Sequence, residues 1–205
     1  MYATYAQNGE DILIQNYFEG YIGNILSLGE NDGLNLSNCF ALIERGWNAC
    51  LVEPATEAFE KLEALHNENK NVHCFQLAVG NQNDHLDFWE SGTHLNQGDT
   101  GLLSTLCDQE KKKWEASTEF RPTRVQVYDF NTLLGILPTR RFDFISIDCE
   151  GMDLDILKQM DLRSLGCRCI CIEWNSKNFT EYDSIITGQN LFLLEKNEEN
   201  LIYVK

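Results

Sequence analysis

Basic residues and prolines are what this 205-residue chain has little of. Its 16 lysines and arginines face 32 aspartates and glutamates, giving a formal net charge of -16. A nucleic-acid backbone or an anionic membrane surface as partner would need basic patches that this balance does not supply. The run Lys111-Lys112-Lys113 is the local exception and reads as a solvated helix face. With three prolines and no low-complexity stretch, no linker stands out, so residues 1–205 are expected to form a single domain large enough for a full core. No apolar run approaches the roughly 20 residues of a membrane span, and MYATYAQNGED lacks the pattern of a secretion signal. The expected compartment is the cytoplasm, where the eight cysteines read as reduced thiols. A zinc site would want C-x-x-C pairs or a nearby histidine, whereas Cys167, Cys169 and Cys171 alternate along one strand face as core thiols.

What the chain does have is concentrated between Asn24 and Pro54. NILSLGENDG reads as an apolar strand and a glycine-containing loop, LNLSNCFALIERG as an amphipathic helix, and WNACLVEP as a second apolar strand. That is half of a nucleoside-binding α/β unit, whose loop lies at the C-terminal edge of the sheet. Leu36, Cys39, Phe40 and Ile43 recur at helical spacing, and Gly46 ends the helix. Glu53 closes the second strand, where such a unit keeps an acid for two ribose hydroxyls. The loop, Gly29-Glu30-Asn31-Asp32-Gly33, carries Asn31 where G-x-G-x-x-G would have its second glycine, with a carboxylate on either side. Two like charges about 4 Å apart repel by roughly 4 kcal/mol at an effective dielectric near 20. A pyrophosphate therefore fits badly there. A ligand with a ribose and with cationic ammonium and sulfonium groups fits well, and S-adenosylmethionine is such a ligand. Gly29, Glu30, Asn31, Gly33 and Glu53 are its candidate contacts; the alternative is that they are turn glycines and solvated acids.

The flanking segments follow in order. Residues 1–20 are expected to be an N-terminal helical extension, with Ile14, Tyr17 and Phe18 facing inward behind a polar group of Gln7, Glu10 and Asp11. Residues 56–67 read as a helix with Ala58, Phe59, Leu62 and Leu65 on one face, and Val72 to Phe75 as the third strand. Residues 76–80 read as a loop in which Leu77 and Ala78 suit an adenine ring. Leu86 to Trp89 alternates as a short strand. Residues 90–106 then run without periodicity, and so long a loop is usually functional. It is read as facing the substrate, with His94 within it. Val125 to Tyr128 is a strand, followed by a helix bearing Phe130, Leu133 and Leu134. FDFISIDCEGMDLDIL is a near-continuous apolar strand of the kind covered on both faces, ending in Asp148 and Glu150 before a helix with Leu154, Leu157 and Met160 inward. The strand Cys169 to Glu173 brings Glu173 to the same edge, and residues 190–195 and 201–204 make a closing antiparallel pair. By analogy of layout, this is a class I methyltransferase sheet.

Taken together, these pieces resemble the FkbM-type S-adenosylmethionine-dependent methyltransferase family over nearly the whole chain. The matching segments are Gln7-Asn8-Gly9-Glu10-Asp11, Gly29 to Gly33, Gly46-Trp47, Val52-Glu53-Pro54, Ala78-Val79-Gly80, Ser104-Thr105-Leu106, Ile147 to Gly151 and Ile172-Glu173. Ser27 stands where the family ends its first strand in aspartate, and Glu30 where it commonly has a small residue. The resemblance implies an α/β, Rossmann-like sandwich, with a mainly parallel seven-stranded sheet, a C-terminal antiparallel hairpin and helices on both faces. It implies methyl transfer to a hydroxyl oxygen of a sugar or other small metabolite, with S-adenosylhomocysteine as product, and adds Gln7, Ser37, Pro54 and Asp148 to the cofactor set. Asp148 or Glu150 is expected to act as base or to orient the acceptor, with Glu173 and His94 behind them. No metal is expected, although three oxygen-bearing acids at one edge would also suit Mg²⁺. Two other functions stay open: a nicotinamide-dependent oxidoreductase, disfavoured by the missing glycine and the absence of Tyr-x-x-x-Lys, and a binding module that keeps the fold without turnover.

Overall fold

The computed structural model describes residues 4–95 and 99–205. In chain order its elements are α1 (Glu10–Phe18), β1 (Asn24–Leu28), α2 (Phe40–Ile43), β2 (Asn48–Val52), α3 (Thr56–His66), β3 (Val72–Phe75), β4 (Ala78–Val79) and β5 (Asp84–Ser91). There follow α4 (Asp108–Trp114), β6 (Phe120–Tyr128), α5 (Phe130–Ile136), β7 (Phe144–Ile147), α6 (Asp153–Leu157), β8 (Cys169–Glu173), α7 (Phe179–Thr187), β9 (Phe192–Lys196) and β10 (Asn200–Val204).

Seven strands form one sheet in the order β3-β2-β1-β7-β8-β10-β9. The pairs from β3 across to β8 are parallel, and β10 is antiparallel to both β8 and β9. The apolar runs explain the centre: all four residues of β7 and all five of β8 are buried, as strands covered on two faces must be. Alternate residues feed two cores. Leu26, Val52, Ile145 and Ile172 pack with Phe130, Leu133, Ile156, Leu157 and Ile186, so α5, α6 and α7 cover one face. Ile25, Leu51 and Phe144 pack with Ile14, Phe18, Leu42 and Leu62, so α1, α2 and α3 cover the other. A second sheet, β4-β6-β5, stands between β3 and β7 in sequence and carries the long antiparallel pair of β5 and β6.

Several local expectations need correction. The helix anticipated from Leu36 is only the four-residue α2. Asp32 accepts the amides of Leu34 and Asn35 at 3.0 and 2.8 Å, a side-chain turn that competes with helix, and Leu36 takes a left-handed φ of 60°. The segment 76–80 is not all loop, because Ala78 and Val79 pair with Val127 and Tyr128 as β4. On α3 the buried line runs through Ala58, Leu62 and His66, leaving Leu65 40% exposed. Cys169 and Cys171 share a strand face, but Cys167 precedes β8 and packs in the opposite core, its thiol donating to the Cys169 carbonyl. All eight cysteines are free thiols. Among the described residues, no helix is long and apolar enough to cross a membrane.

Candidate active site

The C-terminal ends of β1, β2, β7 and β8 open into a cavity of about 460 Å³, closed on one side by β4 and by residues of the loop between β5 and α4. That is the edge where open α/β sheets bind ligands, and the volume falls within the roughly 300–1,000 Å³ of cofactor sites. Every candidate singled out in the sequence lines it except Gly33. A Cβ on Gly33 would lie 2.5 Å from Leu62 Cδ1, so this glycine serves packing against α3 rather than the ligand.

The first loop is built from buried carboxylates. Gly29 has φ 78°, and a Cβ there would stand 1.8 Å from the backbone oxygen of Asp148, so only glycine lets β1 and β7 end this close together. Ser37 Oγ donates to Glu30 Oε1 at 2.5 Å and accepts the amides of Cys39 and Phe40, so the loop and α2 share one hydroxyl. Burial pushes the Glu30 carboxyl up, against hydrogen bonds from Ser27, Ser37 and Cys39. The Asn31 amide donates to Glu53 Oε2 at 2.9 Å, and the Ala55 amide to Glu53 Oε1 at 2.7 Å. Burial raises Glu53 to about 7 despite those two amides, with Glu30 and Glu90 adding to the rise. Asn31 donates through Nδ2 to the Thr100 carbonyl, at 3.0 Å, and keeps a buried Oδ1 without a partner.

Across the cavity, Asp148, Glu150 and Glu173 bring carboxylate oxygens within 4.8 Å of one another. Asp148 opens onto the cavity yet lies deep among protein atoms. Burial, then the charges of Asp153, Glu53 and Glu30, raise it to about 8. Burial raises Glu150 and Glu173 as well, and the neighbouring Asp148 is the next cause for each. The helix that follows has no side-chain N-cap; Asp153, its first residue, turns back to accept the amides of Cys149 and Gly151 at 2.7 and 3.1 Å. Asp148 and Glu150 are thus left facing the cavity. The three clustered acids offer the oxygen ligands that a divalent cation takes. His94 lines the cavity from the loop, its ring 5.2 Å from that of Trp114 and its Nδ1 buried without a partner.

Other lining residues carried no functional reading in the sequence. Glu10, 1% exposed, accepts the Asn8 amide at 2.8 Å and the side-chain amides of Asn197 and Asn200 at 2.8 and 3.0 Å, clasping the N-terminal segment to the β9–β10 turn. The lysine run is not simply solvated. Lys113 lines the cavity, lies 3.4 Å from Glu110 Oε2 and stands 4.6 Å over the Trp114 ring. The Glu-x-x-Lys spacing at 110 and 113 was the available signal, since it places both on one helix side. Among the described residues, Lys113 is the one lysine or arginine lining the cavity, against eight carboxyl groups.

These features fit S-adenosylmethionine. An acidic wall suits its sulfonium and ammonium, Glu53 retains lone pairs for a diol, and Leu77 and Ala78 with Phe88 give an apolar slot. The orphaned Asn31 Oδ1 is an acceptor in want of a donor.

Comparison with solved structures agrees on the architecture. Monomeric WbdD aligns over 95% of this chain and 40% of its own, at TM-score 0.50 and 11% identity. A ribosomal protein L11 methylase from Lactobacillus delbrueckii subsp. bulgaricus aligns over 97% of this chain and 77% of its own, at 0.51 and 8%. A methyltransferase from Geobacter sulfurreducens aligns over 97% and 78%, at 0.51 and 10%. At such identities the likeness is one of fold, that of the class I methyltransferases. No curated protein matches the chain in sequence. The model of the methyltransferase FkbM domain, however, matches residues 27–196, from β1 to the end of β9, and the chain belongs to that family of methyltransferases.

Proposed function

We propose that the protein is an S-adenosylmethionine-dependent O-methyltransferase whose acceptor is a hydroxylated small molecule, a sugar or a similar metabolite, that is neutral or cationic. The observation that carries this reading is the single cavity in which the Gly29–Asn31 loop and Glu53 face the Asp148, Glu150 and Glu173 cluster. S-adenosylmethionine supplies a methyl group on positively charged sulfur, open to in-line displacement by an oxygen.

The chain supplies the rest. Glu53, Leu77 and Ala78 hold the nucleoside half, and Gly29, Glu30, Asn31, Ser37 and Gln7 the amino-acid half. Asp148, Glu150 and Glu173 hold the acceptor hydroxyl and take its proton; alignment of the two reactants provides much of the acceleration. A carboxyl raised to about 8 is a stronger base than an ordinary one, with roughly a tenth ionised at pH 7 and a share that grows as pH rises. The lining supports an acceptor without negative charge. Among the described residues Lys113 is the one lysine or arginine lining it, and it pairs with Glu110, so a phosphate or carboxylate on the acceptor would meet mainly carboxyl groups.

The test is calorimetric titration with S-adenosylhomocysteine, with NAD as control. Methyl transfer is then scored by mass spectrometry over a panel of neutral, amino and phosphorylated sugars. One-site binding of S-adenosylhomocysteine alone, with turnover confined to uncharged or amino acceptors, is expected. Binding of NAD instead overturns the cofactor assignment. S-adenosylhomocysteine binding with no turnover on any acceptor would favour a binding module.

A further inference from the structure

Thr105 sits in the loop on the acceptor side of the cavity, 1% exposed, yet its bonds run to three other parts of the molecule. Its backbone pairs with Trp89 of β5 in both directions, at 2.9 and 3.0 Å. Its hydroxyl accepts the amide of Cys107, immediately before α4, at 2.8 Å and donates to the carbonyl of Glu150 at 2.7 Å. A hydroxyl has one proton, and here it is spent on Glu150.

Glu150 has need of that restraint. Its φ of 44° lies in the left-handed region, which a long L side chain enters only when its surroundings hold it there. Asp153 secures the amides on either side of Glu150, and Thr105 secures the carbonyl between them. The helix that Thr105 leads into also carries Glu110, Lys113 and Trp114, so one hydroxyl ties the loop and that wall to the acidic turn.

We propose that Thr105 is a positioning residue for Glu150, fixing the acidic turn after β7 against the acceptor-side loop and α4 through its hydroxyl. The role rests on Glu150 handling the acceptor, as argued above. It would give a purpose to Thr105, which stays out of the cavity that its neighbours Ser104 and Leu106 line.

The experiment is backbone NMR of the full chain carrying Thr105→Val, Thr105→Ala or Thr105→Ser, each with S-adenosylhomocysteine titrated by calorimetry. In the Val and Ala variants the one-bond Cα–Hα coupling and Cα shift of Glu150 should leave left-handed values. Exchange of the Cys149 and Gly151 amides should quicken by about tenfold or more. Thr105→Ser should keep both signatures, and affinity for S-adenosylhomocysteine should stay within about threefold throughout, because the cofactor half makes no bond to this hydroxyl. The Ala variant cannot overpack, so it decides the matter if the Val variant does not fold. An unchanged Glu150 signature in the hydroxyl-free variants, or a Ser variant that behaves like Ala, would overturn the proposal. Should Glu150→Gln turn over acceptors at the unaltered rate, Glu150 loses its part in the chemistry while the NMR result still stands, so the two failures are told apart.

Discussion

Glu53 carries two demands at once: both its oxygens accept backbone amides, and it is the acid we propose for the ribose. Glu53→Ala should weaken S-adenosylmethionine binding by about 1.5–3 kcal/mol, the scale of a hydrogen bond to a charged group. It should also cost about 1–3 kcal/mol of stability by orphaning two amides, read by calorimetry and urea unfolding respectively. Its pH dependence has a definite sign. The folded carboxyl titrates at about 7 against 4.5 for the free group, because burial disfavours its charge. The folded state therefore binds the proton more tightly than the unfolded chain does. The contribution is fully present below about pH 4.5 and is lost as pH rises through about 7, on the order of 3 kcal/mol for this 4%-exposed group. Melting of the ligand-free protein should fall between pH 5 and 8, and Glu53→Gln, which cannot titrate, should flatten the fall. A fall of equal slope in that variant would assign the effect to other acids. At this scale the sequence was informative about position: Gly29, Glu53 and Asp148 directly follow strands and Glu173 ends one, and apolar runs mark strand ends sharply. Gly33 lies outside the cavity lining and against Leu62, a placement that glycine spacing does not reveal.

At the scale of elements, the clasp between α1 and the β9–β10 turn has the clearest energetic consequence. Burial opposes the charge of Glu10, but hydrogen bonds from its own amide, Asn8 and Asn197 outweigh it and hold its carboxyl below the usual range. Glu10→Ala would leave the Asn8 amide and the Asn197 and Asn200 side chains without their acceptor. A loss of about 2–4 kcal/mol is expected, the range for breaking a buried network. Urea unfolding checks it, and a loss below about 0.5 kcal/mol, the size of an ordinary surface change, would show that water replaces the clasp. The elements themselves were unevenly legible. The central strands could be read because their apolar runs are dictated by burial on both faces. The start of α2 could not, because Leu36, Cys39, Phe40 and Ile43 satisfy helical spacing while Asp32 and Ser37 compete for the backbone. Helix α7 passed unnoticed although Phe179, Tyr182 and Ile186 have the right period. Strand β4 has two residues, too few for any pattern.

Over the whole molecule the charge of -16 governs behaviour. Self-repulsion on this scale opposes compaction, and salt screens it over about 10 Å at 0.1 M. Melting temperature at pH 8 should therefore climb as sodium chloride is raised from about 10 to 200 mM; a decline would mean that attractive pairs such as Lys158 with Glu181 outweigh the repulsion. The mainly parallel seven-stranded sheet with its antiparallel close was expected from the family resemblance, whereas the three-stranded sheet was not, since the pairing of Ala78 with Val127 spans 49 residues and leaves no local trace. Gly29 carries a last implication at this scale. The space beside it is taken by the Asp148 carbonyl, so its identity is dictated by how two strands meet, whatever the cavity holds. A descendant that abandoned catalysis would have to keep that glycine in order to fold. The glycine is a poor witness to surviving activity. Asn31 is a mixed witness, because its Nδ2 holds the Thr100 carbonyl and its φ of 55° favours asparagine, leaving only the orphaned oxygen to speak for a ligand.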